Sequence, residues 1–167
     1  MLTTTSRWRK RKMRINFKLN GTEIQMDANP HERLSDVLRR EFNILSVKES
    51  YPYGENGSST IILDGKAVPA CMVPIFLAAN TEIITLEYFQ TQNEYKEIIN
   101  AFKQAGVSLC GYCNTGKILT IYTLLQQNAY PSEEEIKDAL SGIVCRCTCM
   151  DDIISAVKRI KPQRKKR

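Results

Sequence analysis

Cys110-Gly111-Tyr112-Cys113 is answered, beyond the stretch from 114 to 144, by Cys145-Arg146-Cys147. These two clips hold four of the six cysteines in the chain. Free thiols oxidise, and a buried thiolate needs a cation beside it, so four thiols in two clips point to a metal or an iron–sulfur centre. The clips also decide how the C-terminal half folds, because each lies between two segments of helical periodicity. Before clip one, Tyr95, Ile98, Ile99 and Phe102 share a face that ends at Gly106. After it, Thr115 can cap a helix with Ile118, Leu119, Tyr122 and Leu125 inward. Before clip two, Pro131-Ser132-Glu133-Glu134-Glu135 reads as a capping box ahead of Ile136, Ala139, Leu140 and Ile143. After it, Thr148 to Asp151 can cap a fourth helix carrying Ile153, Ile154, Val157 and Ile160. Four short helices with both clips at their ends predict a compact bundle, and antiparallel pairing brings the clips to one end of it.

The N-terminal half has a different period. Ile15, Phe17 and Leu19 alternate with polar residues, Asn20-Gly21 supplies a tight turn, and Ile24, Met26 and Ala28 resume the alternation, which predicts a hairpin. Asn29-Pro30-His31-Glu32 reads as a helix start before Leu34, Val37, Leu38 and Phe42. The single histidine, His31, falls there as a solvated residue. Residues 46 to 59 form a long irregular loop with Pro52, Gly54 and Gly57, and such a loop in a small domain is usually functional or a relic of function. Thr60 to Val68 gives a second hairpin around Asp64-Gly65, leading to Cys71, and Glu82 to Tyr88 a last strand. The expected fold class is α+β: an N-terminal β-grasp domain of the ferredoxin-like kind, then a C-terminal four-helix bundle. The expected boundaries are a basic tail at 1–14, the β-grasp at 15–90, the helical domain at 91–160 and a second basic tail at 161–167.

The net charge of +6 comes from those tails. All 18 acidic residues lie between Ile15 and Val157, whereas more than half of the 24 basic ones crowd into the two ends. An acidic body with solvated basic ends argues against a nucleic-acid module. No apolar run approaches a membrane span, and the basic start lacks the apolar core of a secretory signal. Met13 is an alternative start. A reducing, cytoplasmic setting with metal-binding cysteines is therefore expected, and disulfides rank third. On spacing alone, a tetrahedral zinc and a [2Fe-2S] cluster both remain open; the single residue between Cys145 and Cys147 favours the cluster, since structural zinc pairs usually stand two to four residues apart.

The runs Cys110-Gly-Tyr-Cys-Asn-Thr-Gly116 and Gly142-Ile-Val-Cys-Arg-Cys-Thr148 resemble the helical [2Fe-2S] domain in the small subunit of xanthine dehydrogenases and related molybdenum hydroxylases. Leu45-Ser-Val-Lys48, the glycine-bearing loop, Thr60 to Gly65 and Ala70-Cys71 are similar to the same family's plant-ferredoxin-like domain. The resemblance spans about Ile15 to Ile160. It implies a one-electron relay that leads electrons away from a molybdopterin-binding large subunit, which hydroxylates a heterocycle or an aldehyde, toward a flavin (FAD) subunit or another acceptor. It also implies that Cys110, Cys113, Cys145 and Cys147 ligate the iron, with Cys147 nearest the pterin and Arg146 offsetting part of the cluster's charge.

One departure from the family is large. The ferredoxin-like ligand pattern falls on Tyr51, Asn56, Ser59 and Cys71, so only one thiol remains. Tyrosine, asparagine and serine are poor replacements for thiolate at iron, and the expectation is one [2Fe-2S] cluster, with the second lost. Leu109 also replaces a usual glutamine, Cys149 reads as a stray thiol, and Lys117 as a solvated lysine near the cluster. No residue reads as a base, nucleophile or substrate pocket, so the chain is expected to be a non-catalytic subunit. The alternatives are a structural or assembly subunit, a degenerate paralogue whose cluster does not relay, and last a zinc-stabilised binding module.

Overall fold

The computed structural model describes residues 12–48, 54 and 56–160. Tyr51, Tyr53 and most of both basic tails lie outside the described residues. Strands β1 (Met13–Leu19) and β2 (Thr22–Ala28) form the first hairpin. Its turn works because Asn20 and Gly21 take φ of 52° and 85°, the pair of left-handed positions that a tight hairpin needs. Strands β3 (Thr60–Leu63) and β4 (Lys66–Pro69) make the second hairpin around Asp64-Gly65. Strand β5 (Glu82–Ile84) enters between them, parallel to β1 and antiparallel to β3, giving the order β2-β1-β5-β3-β4.

Helix α1 (Leu34–Phe42) buries Leu34, Val37 and Leu38 in the same core as Ile15, Phe17, Ile61 and Ile83. Each such side chain contributes about 1.5–3 kcal/mol of burial. The expected helix start at Asn29 is corrected to Leu34. Asn29 Oδ1 instead accepts from the His31 N–H at 3.2 Å. The next residues are tied across to the segment after β4, with Ile75 N donating to Glu32 O and Leu34 N to Val73 O, both at 2.8 Å. After a turn closed by Glu32 N donating to Asn29 O at 3.0 Å, that tie holds Arg33 extended ahead of Leu34. His31 is exposed and meets Phe76 edge-on.

The last strand is shorter than expected. It stops at Ile84, and Leu86–Phe89 form a short helix, α2. At Thr85 the chain leaves the sheet because the Asn20 side chain takes both of its groups: Thr85 N donates to Asn20 Oδ1 at 2.9 Å, and Asn20 Nδ2 donates to Thr85 Oγ1 at 3.1 Å. Leu86 and Phe89 then turn into a second core, where Phe89 stacks on Tyr122 with centroids 4.5 Å apart.

That second core belongs to α3 (Asn93–Gln104), α4 (Asn114–Gln127), α5 (Glu133–Ala139) and α6 (Met150–Val157), which pack as a four-helix bundle. The capping box at α5 forms as the sequence implies, with Ser132 Oγ accepting from Glu135 N and the Glu135 carboxylate from Ser132 N. Thr115 and Thr148 do not cap. Helix α4 starts after Cys113 and α6 after Cys149, while Thr115 Oγ1 donates instead to Ser46 O at 3.2 Å and Thr148 Oγ1 to Ser108 O at 3.4 Å. Helix α4 also packs on β3 and β4, so it is the element shared by the sheet and the bundle. Among the described residues no helix is long and apolar enough to cross a membrane.

Candidate iron–sulfur centre

Clip one joins α3 to α4 and clip two joins α5 to α6, so the bundle brings both clips to one place. Cys110, Cys113, Cys145 and Cys147 line one cavity of about 490 Å³, together with Asn56, Tyr112, Val144 and Arg146. All four thiols are free. The thiol of Cys147 perturbs that of Cys110, and the thiol of Cys113 that of Cys145. Four thiols on one cavity supply the donor set of a two-iron cluster, in which each iron takes two thiolates. The four cysteines therefore fit a [2Fe-2S] centre in number, softness and grouping.

The site has a wet edge and a dry side. Cys110 and Cys147 are exposed beside Tyr112 and Val144, while Cys113 is buried and Cys145 partly so. Burial pushes the Cys113 thiol up to about 11, and its bond to Cys145 adds to the rise. Burial works against ionisation of Cys145 too, yet the Lys117 ammonium, the Cys147 N–H and the Cys113 thiol all donate to its sulfur and bring it down to about 6. The Lys117 Nζ is 2.9 Å from Cys145 Sγ, and the Cys147 N 3.4 Å. Cys110 lies below the ordinary thiol value because the Tyr112 N–H and the Cys147 thiol donate to it, and Cys147 is raised as the donor of that pair. Each clip thus offers one thiol disposed to ionise before any metal arrives, the form that binds iron.

The expectation of a solvated Lys117 is corrected, since it is 1% exposed. Helix α4 packs on the sheet as well as on the bundle, which the single apolar stripe read from its sequence does not reveal. Arg146 is exposed on the cavity rim, and Cys149 is an exposed thiol outside the cavity lining.

The loop between α1 and β3 reaches the same site from the other half of the chain. Lys48 Nζ donates to Gly111 O within clip one at 2.9 Å. Gly116 packs so closely on the loop that a Cβ there would stand 2.5 Å from Gly57 O. Of the four ferredoxin-like ligand positions, Tyr51 lies outside the described residues. Ser59 and Cys71 are buried together, with Ser59 Oγ donating to Cys71 Sγ at 3.1 Å. Asn56 is nearly buried, and its Oδ1 accepts from Ser58 N at 3.0 Å. Serine and cysteine thus satisfy each other where two ligand positions meet.

Residues 85–158 match the [2Fe-2S] binding domain family. The nicotinate dehydrogenase small FeS subunit of Eubacterium barkeri is 40% identical over 88% of this chain and 94% of its own. The chain belongs to the family of small iron–sulfur subunits of nicotinate and xanthine dehydrogenases. The xanthine dehydrogenase iron-sulfur-binding subunit of Escherichia coli O157:H7 is 33% identical over 86% of this chain and 91% of its own. Among solved structures, quinoline 2-oxidoreductase of Pseudomonas putida 86 superposes with a TM-score of 0.79 at 29% identity, covering 88% of this chain and 91% of that one. These matches span both halves of the fold, and they favour [2Fe-2S] over zinc at the clips.

Proposed function

We propose that this chain carries single electrons away from a molybdopterin-binding large subunit through one [2Fe-2S] cluster held by Cys110, Cys113, Cys145 and Cys147. The observation that carries the reading is the meeting of the two clips in one cavity, one edge of it exposed. A [2Fe-2S] cluster bound there supplies one-electron storage. The chain's own residues supply the rest. Cys113, Cys145 and Lys117 make a side shielded from water, whereas Cys110 and Cys147, beside Tyr112 and Val144, make the surface through which a partner subunit can come close enough for electron transfer. The division into units at 15–90 and 91–160 has Leu86 and Phe89 as its seam.

The relatives named above act on nicotinate and xanthine, so the large subunit's substrate is proposed to be a nitrogen heterocycle. Ser59, Asn56 and Tyr51 leave no second cluster at the ferredoxin-like loop, so the acceptor, a flavin subunit or another carrier, draws its electrons from the one remaining centre. A cytoplasmic location is proposed for the complex. The test mixes the anaerobic holo-chain with its molybdopterin subunit and a heterocyclic substrate. Bleaching of the cluster's visible absorption only when both are present supports the relay. A cluster that dithionite reduces but substrate never does favours the scaffold reading, for which the contacts of Lys48 with clip one and of Gly57 with Gly116 and Ile143 beside the clips give a structural basis.

A further inference from the structure

Lys117 lies one turn into α4, four residues beyond Cys113, and is almost wholly removed from water. A buried ammonium is costly unless an anion faces it. Among the described residues no carboxylate forms an ion pair with it. What its Nζ does reach is Cys145 Sγ, at 2.9 Å. The counter-charge of Lys117 is therefore the sulfur site itself. Arg146, which lines the cavity, is exposed and screened by water, and Lys48 Nζ donates to the Gly111 carbonyl rather than to a sulfur.

We infer that Lys117 sets the reduction potential of the cluster and raises it; this rests on the reading of the four cysteines as iron ligands. Uptake of one electron by a two-iron, four-thiolate centre adds one negative charge, with no bond made or broken, and the same electron later leaves to the acceptor. A positive charge fixed against one ligand sulfur stabilises the reduced form more than the oxidised form. The interaction is large because the pair is shielded: at an effective dielectric of about 20, charges a few ångströms apart interact well above thermal energy. The N–H···S bond acts in the same direction. With the neighbouring ferredoxin-like positions short of thiols, an electron has no second centre to move to, and a raised potential lets it be held at this one until the acceptor takes it.

The experiment is an EPR-monitored redox titration of the anaerobic holo-chain, with iron counted in every sample, for the native chain and for Lys117→Met, Lys117→Gln and Lys117→Arg. The Met and Gln variants are expected to keep their iron while the oxidised-to-reduced ratio at a fixed poise rises at least tenfold, equivalent to a fall of about 59 mV for a one-electron couple. Lys117→Arg is expected to return close to the native midpoint. A Met variant with iron bound and an unchanged midpoint overturns the inference while leaving the cluster assignment standing. If the Met variant does not assemble, the Gln variant decides, since it keeps a donor without the charge and a native midpoint there also overturns it. A native chain without iron overturns both the inference and the reading beneath it.

Discussion

Gly116→Ala should destabilise the chain even though the same change in an open helix would stabilise it. Alanine is worth about 1 kcal/mol over glycine inside a helix. At Gly116 the new methyl would stand 2.5 Å from Gly57 O and 3.3 Å from Ile143 Cδ1. The first contact is with backbone, so either α4 or the loop must move. Overpacking of this kind costs about 1–3 kcal/mol, and more where backbone is displaced. Taking the upper part of that range for a contact with backbone, about 2–3 kcal/mol, and subtracting the helix preference of about 1 kcal/mol, the net expectation is a loss of about 1–2 kcal/mol, or about 2–8 °C in Tm for a chain of this size. Because Ile143 precedes clip two and Gly116 follows clip one, the strain reaches both thiol pairs, and iron retention should fall with it. Circular-dichroism melting of the iron-free chain and iron per chain after desalting measure the two effects. Gly142→Ala, with nothing within 4 Å of the added carbon, is the control and should be near neutral. A Gly116→Ala chain that melts at or above the native temperature and keeps its iron would refute the close junction between loop and helix.

Cys113→Ser and Cys145→Ser should each remove the cluster, whereas Cys149→Ser, which lies outside the cavity lining, should leave iron content unchanged; equal losses in all three would mean the ligand set is wrong. Replacing Tyr51, Asn56 and Ser59 together by cysteine should raise iron from two toward four per chain, because Ser59 already touches Cys71; a variant that stays at two would show that the loop has diverged beyond its ligand residues. Burial pushes the Glu87 carboxyl up, but the Ser46 N–H and Oγ–H, donating at 2.8 and 2.7 Å, outweigh it and hold the group below its ordinary value. The contact therefore adds stability above that ordinary value and loses it as pH falls through the lower, folded value. Solvent screening of this half-exposed pair limits the effect to less than about 1 kcal/mol. Glu87→Gln should flatten that part of the acid-stability curve, and an unchanged curve would count against the contact.

The four helices, both hairpins and the grouping of the four clip cysteines were legible because each rests on local patterns: period, turn residues and short ligand spacings. The readings that failed were decided at a distance. Thr115 and Thr148 have the chemistry of caps, but their hydroxyls found carbonyls on other segments, at Ser46 and Ser108. Thr85 ended a strand that apolar alternation would have continued, because Asn20, at the far end of the sheet sequence, captured its backbone. Lys117 looked solvated since a lysine on a helix usually is, but it is buried, on a helix that packs on β3 and β4 as well as on the bundle. A helix buried on two sides leaves a weak amphipathic signal, and the lysine that points at Cys145 was hidden within it.

The central claim is that one cluster, and no second, resides in this chain. Iron, acid-labile sulfide and zinc measured on anaerobically purified protein, with the EPR spectrum of the reduced sample, test it most directly. Two irons and two sulfides per chain, negligible zinc and a single reduced signal are expected. Four irons with two signals would contradict the loss of the ferredoxin-like centre, and zinc without iron would contradict the relay itself.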